Sequence, residues 1–186
     1  LLALMVLLNF NLFTIILALA SMPLAFTYPL MKRFTYWPQL FLGITFNYGI
    51  VLGWTTIKGQ IDVIPLILYF GAIFWTLGYD TIYGYQDIKD DEVIGLKSTS
   101  IKFKNYSTLF IFLCYLFLIF SIYLVGYLSE FNNYFYIFMI LPIIQIFYYQ
   151  VKAFDSKNPT KCLKIFKSNN FFGSLIFINI LIGKIF

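Results

Sequence analysis

The run at residues 107–128 holds no charged side chain and is long enough to cross a bilayer. A spanning helix needs about 20 mostly apolar residues. Four more complete runs meet that requirement, at 11–28, 37–57, 64–83 and 134–150. A last run at 171–186 is marginal in length and carries Lys184, which is expected to snorkel to the interface. Residues 1–8 are apolar but too short to span, and Asn9 and Asn11 mark a break after them. The expected fold is therefore all-α: a polytopic transmembrane helix bundle of about six helices. A truncated N-terminal helix remnant precedes them, in a single transmembrane domain over 1–186 that is incomplete at its N-terminus.

Composition agrees with this reading. The chain is 61% hydrophobic and 11% charged, against about 45–50% and about 25% in soluble domains. With no His in the sequence, Ser-His-Asp and Cys-His catalysis and His-ligated zinc are excluded. Cys114 lies in an apolar run and Cys162 in a basic loop, which argues against a disulfide between them. The chain begins with Leu1 and no basic segment precedes the first run, which argues against a signal peptide. The net charge of +5 does not point to nucleic acid, because the cations sit in loops between apolar runs.

Those cations are one-sided. The loops after the first, third and fifth runs hold Lys32 and Arg33, then four lysines from Lys89 to Lys104, then five from Lys152 to Lys167. The opposite side has Lys58 and Lys184. The positive-inside rule puts the first set in the cytoplasm, and the alternation requires the last run to cross.

One stretch departs from this pattern. Five of the eight acidic residues lie between Asp80 and Glu92. Asp80 is still attached to an apolar run, where a carboxylate costs about 2.5 kcal/mol or more at mid-bilayer and less near the interface, and marks a functional-site hypothesis. If the helix continues past Gly84, Asp80, Asp87, Asp90 and Asp91 share one broad stripe. Crowded carboxylates repel unless a cation lies between them, and carboxylates with phosphate oxygens are how Mg²⁺ is usually held. Lys97, Ser98 and Thr99 follow as donors to phosphate. A solvated loop of mixed charge explains the same composition, and a transporter with Asp80 lining a polar path remains an alternative.

Tyr79-Asp80-Thr81-Ile82-Tyr83, Gln86-Asp87, Asp90-Asp91 and Ile94-Gly95-Leu96-Lys97-Ser98-Thr99 resemble the second aspartate-rich motif of UbiA-type membrane prenyltransferases. The branch most similar is the 4-hydroxybenzoate polyprenyltransferases of ubiquinone synthesis. The segment from Tyr28 to Thr35, with Pro38 and Gln39, resembles the loop after that branch's fourth helix. Phe166, Asn169, Asn170 and Gly173 resemble the entry to its last helix.

The resemblance implies a nine-helix fold, of which this chain is expected to be the C-terminal two-thirds. The family's first motif, Asn-Asp-x-x-Asp, does not occur here, so a missing N-terminal part is expected, truncated or carried on a separate chain. A non-catalytic remnant of a split gene is the corresponding alternative. The implied reaction transfers a polyprenyl group from its diphosphate to the ring of 4-hydroxybenzoate, with Mg²⁺ as cofactor. Asp80, Asp87, Asp90 and Asp91 are the implied metal ligands or their neighbours. Asp80, Asp87 and Arg33 are the implied catalytic residues, and Lys32, Arg33, Lys97, Tyr83, Asn169 and Asn170 the implied substrate contacts. Simple membrane anchoring accounts for Lys32 and Arg33 as well, helix capping for Asn169 and Asn170, and packing for Trp75, Tyr79 and Tyr83. The implied location is a bacterial or mitochondrial inner membrane, with the site facing the cytoplasm.

Overall fold

The computed structural model describes residues 2–185, and those residues form helices and turns without a strand. In chain order the helices are α1 (Leu2–Leu7), α2 (Leu12–Thr27), α3 (Met31–Phe34), α4 (Pro38–Phe46), α5 (Gly49–Lys58) and α6 (Val63–Tyr83). They continue with α7 (Ile88–Val93), α8 (Thr99–Lys102), α9 (Ser107–Leu128), α10 (Asn133–Phe138) and α11 (Ile140–Ile143). A π-helical stretch (Ile144–Val151) leads to α12 (Pro159–Lys167) and α13 (Asn169–Ile185). Six stretches are long and apolar enough to cross a membrane: Leu12–Phe34, Pro38–Lys58, Val63–Tyr83, Ser107–Leu128, Asn133–Val151 and Pro159–Ile185. The chain is an integral membrane protein. Large apolar side chains such as Leu12, Phe26, Phe46 and Phe120 accordingly stand outward.

The expected break after the first residues is present. Asn11 caps α2 by accepting from the Thr14 amide (2.9 Å), and its own amide donates to the Thr55 carbonyl (2.8 Å), tying α2 to α5. The second span is not one straight helix as its apolar run suggests. It breaks between Phe46 and Gly49, where the Asn47 amide donates to Gly43, to the Ala72 carbonyl (3.1 Å) and to Thr76 Oγ1 (2.7 Å). The break is bound to α6, a partner that the local sequence does not reveal. The last span is longer than the run at 171–186, because α12 leads into it.

The core forms where α6 and α9 lie side by side. Small residues allow close approach between membrane helices, and Gly71 meets Ser121 while Gly78 meets the ring of Tyr115. A methyl on Gly78 would lie 2.5 Å from that ring. Phe135, Ile146, Cys162, Ile165 and Phe172 complete the interior. Both cysteines are free and buried. Cys162 lies on α12 with no exposed surface, not in an open loop.

The spans alternate in direction, so the loops after the first, third and fifth meet at one end. There the Lys97 amide donates to the Lys32 carbonyl (2.9 Å), and the Phe166 ring lies 4.6 Å from that of Tyr83. At the other end Asn132 donates to the Ile182 carbonyl (2.8 Å) and Lys184 Nζ reaches the Ser129 carbonyl (3.4 Å). The last run therefore crosses, with Lys184 at the far end.

Candidate functional site

The site forms where α6 ends. Gly84 caps that helix, its amide donating to the Asp80 carbonyl (3.0 Å). The Ser100 hydroxyl occupies the space where a Gly84 side chain would project, and it donates to the Thr81 carbonyl (2.8 Å). The chain therefore turns at Gly84 instead of continuing as a helix, and the single carboxylate stripe is not formed. Asp80 sits on the last turn of α6, Asp87 stands just before α7, and Asp90 and Asp91 are in the first turn of α7. Gly95 then adopts φ +74°, a left-handed conformation that suits glycine. The Leu96 amide closes back onto the Asp91 carbonyl (2.9 Å), as in a helix C-terminal cap.

This path folds residues 96–98 back beside the end of α6, where they border an open cavity of about 340 Å³. Asp80, Asp87 and Asp91 line it, with Lys32, Lys97 and Tyr83 around them and Gln39 among the walls. Residues from three spans thus meet at one mouth. The Asp91 carboxyl is held above the usual carboxylate range, first by burial and further by Asp87 and Asp90, while Lys32 opposes the shift. Lys97 Nζ donates to the Phe34 carbonyl (3.3 Å) and lies 5.7 Å from the centre of the Tyr36 ring.

Other expected site residues lie elsewhere. Asp90 faces a neighbouring cavity with Lys89, Lys104 and Lys157, which shares Asp87 with the first. Arg33 is exposed beside Lys32 and does not line the mouth. Asn169 is buried, and its side-chain oxygen accepts from Trp75 Nε1 (2.8 Å) and Gln150 Nε2 (3.2 Å). Asn170 borders a lateral cavity with Trp75 and Gly173. Thr99 is not available to a phosphate: it is fully buried, hydrogen-bonds with Thr81 Oγ1 (2.6 Å), and its amide donates to Gln39 Oε1 (3.0 Å). Glu92 faces away from the mouth and pairs with Lys104 (2.7 Å). Trp75, Tyr79 and Tyr83 form an aromatic row packed on Phe166 and Phe172.

Gln145 and Gln150 are polar residues that sequence reasoning passed over, while Gln39 and Thr81 were placed in motifs without a role. Each is a hydrogen-bonding side chain inside an apolar run, which is the signal that would have found them.

Among the described residues, no group of three or more Asp, Glu, Cys or His side chains is close enough to hold a metal ion unaided. The donors at the mouth are nonetheless all oxygen, with two lysines beside them. That chemistry fits a hard divalent cation held by one or two carboxylates and completed by phosphate oxygens.

The chain matches the UbiA prenyltransferase family over residues 1–177. It is 43% identical over 185 residues to the mitochondrial 4-hydroxybenzoate polyprenyltransferase of Bos taurus, covering 99% of this chain and 50% of that protein. It is 40% identical over 184 residues to 4-hydroxybenzoate geranyltransferase 2 of Lithospermum erythrorhizon, covering 97% of this chain and 59% of that protein. The 4-hydroxybenzoate octaprenyltransferase of Pasteurella multocida (strain Pm70) is 37% identical over 179 residues, covering 95% of this chain and 60% of that protein. The chain thus spans between half and three-fifths of the length of these curated relatives. No solved structure matches it. With the acidic mouth, the six spans and the family match in agreement, the chain belongs to the UbiA prenyltransferase family.

Proposed function

We propose that this chain contributes the diphosphate-gripping mouth of an enzyme of ubiquinone biosynthesis. The enzyme transfers a polyprenyl group from polyprenyl diphosphate to the ring of 4-hydroxybenzoate. The observation that carries this reading is the cavity in which Asp80, Asp87 and Asp91 face Lys32 and Lys97. The relatives are prenyltransferases acting on 4-hydroxybenzoate, which supports the choice of acceptor.

In this reaction the C–O bond to the diphosphate breaks, a C–C bond forms at the ring carbon ortho to the hydroxyl, and that carbon loses its proton. Mg²⁺, when bound, neutralises the charge that develops on the departing diphosphate. One or two of Asp80, Asp87 and Asp91 would hold it together with phosphate oxygens, and Asp90 would act from the adjoining cavity. Lys32 and Lys97 hold diphosphate oxygens by charge-assisted hydrogen bonds. Arg33, exposed beside Lys32, takes the carboxylate of the aromatic acid with its planar guanidinium. Tyr83 closes the mouth on the side of Phe166, while Asn169 and Asn170 border the separate lateral cavity beside Trp75. The mouth faces the cytoplasm, or the equivalent compartment of a mitochondrion.

Residues 1–186 contain no Asn-Asp-x-x-Asp sequence. In this proposal the facing carboxylates come from the remainder of the family fold, on the same chain or a separate one. The test is prenylation of 4-hydroxybenzoate by the full-length protein in membranes with Mg²⁺. Asp80→Asn and Asp87→Asn should each lower kcat and kcat/KM together by roughly 10²-fold. Residues 1–186 alone should give no product. Wild-type rates in Asp87→Asn at matched protein levels would remove the acidic mouth from the mechanism.

A further inference from the structure

Below the mouth, a chain of polar side chains crosses an otherwise apolar interior. Gln150 is fully buried, and all its hydrogen-bonding capacity is turned inward. Its oxygen accepts from the Tyr115 hydroxyl (2.8 Å). Its nitrogen donates to Gln145 Oε1 (3.2 Å) and to Asn169 Oδ1 (3.2 Å). The pairing with Gln145 depends on the π-helical turn. Five residues along an α-helix point about 140° apart, whereas here the bonding pattern widens to five residues, as in the Lys152 amide donating to the Phe147 carbonyl (3.0 Å). Such turns are rare and concentrate at functional sites.

Both arms of this network end on α6 just below Asp80. One runs through Tyr115, whose ring packs on Gly78 so closely that a methyl there would not fit. The other runs through Asn169 to the indole of Trp75 (2.8 Å). Gly78 and Trp75 lie within five residues of Asp80 on the same helix. We infer that Gln150 is a positioning residue: it braces the Asp80-bearing turn of α6 from two sides, through Tyr115 and through Asn169 with Trp75. Gln150 touches no reacting atom; it fixes where the Asp80 carboxylate stands relative to Asp87 and Lys32. Misplacement of about 1 Å at a reacting centre costs as much as 10²-fold in rate.

This inference rests on the proposed prenyl transfer for its kinetic readout, so the experiment carries a second readout that does not. The full-length protein is labelled with ¹⁵N at tryptophan, and the Trp75 indole resonance is assigned by its loss in Trp75→Phe. Gln150→Leu should shift that resonance. It should also lower kcat by about ten-fold or more while leaving KM for the prenyl diphosphate within about two-fold. Tyr115→Phe removes one arm only, and should give a smaller fall in kcat in a protein that still folds if Gln150→Leu does not. An unshifted indole resonance in Gln150→Leu would overturn the brace, as would full kcat per folded molecule in both variants. If the wild-type protein turns over no 4-hydroxybenzoate, the functional reading fails by itself. The indole resonance then decides alone: a shift upholds the brace and no shift overturns it.

Discussion

Asp91 shows how a carboxylate can be costly to the fold and still stand at the mouth. Its pKa is raised, chiefly by burial and then by Asp87 and Asp90, despite the Lys32 charge. A folded-state value above the unfolded one means that ionising Asp91 costs stability. The cost is absent below the ordinary aspartate value of 3.8 and complete above the folded value. Asp91→Asn should therefore raise Tm slightly at pH 7.5, without divalent metal, because solvent screens a carboxyl this exposed, and the gain should fade as the pH is lowered toward 3.8. The same variant should lower Mg²⁺-dependent turnover. A thermal melt at the two pH values, run beside the activity assay, checks both. Part of this was legible in the sequence: the density of acids between Asp80 and Glu92 pointed to the candidate site, and Asp80, Asp87 and Asp91 line one cavity there. The direction taken by Asp90 and the engagement of Thr99 were not. Both depend on where the backbone turns, and the turn is made by a contact with a residue far along the chain.

That turn is a property of elements. The apolar runs located the six spans, because exclusion of charge over about 20 residues is a local requirement. They did not reveal the break at Asn47, since the hydrogen bonds that hold it come from α6. The run at 64–83 ended where α6 ends, but it left open whether the helix continues past Gly84, which is decided by α8 packing against it. Gly84→Ala should therefore cost about 1–3 kcal/mol by forcing a methyl into the Ser100 hydroxyl. The double variant Gly84→Ala/Ser100→Ala should recover part of the loss. Unfolding in a detergent titration, with all variants in the same micelle, measures both. Equal losses in the single and double variants would show that the Ser100 hydroxyl does not carry the effect, since Gly84 itself (φ −62°, ψ −11°) has a conformation open to alanine.

For the whole molecule, three loops from alternate spans converge on one face, and they hold most of the cations. The positive-inside rule then orients the protein. Cys162 cannot report this because it is buried, but Lys157 and Asn133 are exposed on opposite ends. A membrane-impermeant thiol reagent should label Asn133→Cys in intact bacterial cells, and Lys157→Cys only after permeabilisation. The reverse pattern would invert the orientation. The loop that borders the mouth has a further consequence. Residues 97–99 are fastened to three spans at once, by the Lys97 amide to Lys32, by the Thr99 amide to Gln39, and by the Thr99 hydroxyl to Thr81. Opening it alone would expose bonds that belong to the bundle, so its amides should exchange with deuterium as slowly as those of the helices beneath it. In the proposed reaction, a rim held this firmly would surrender little conformational entropy to a diphosphate, and the affinity of the mouth would be set by charge and geometry before the ligand is there.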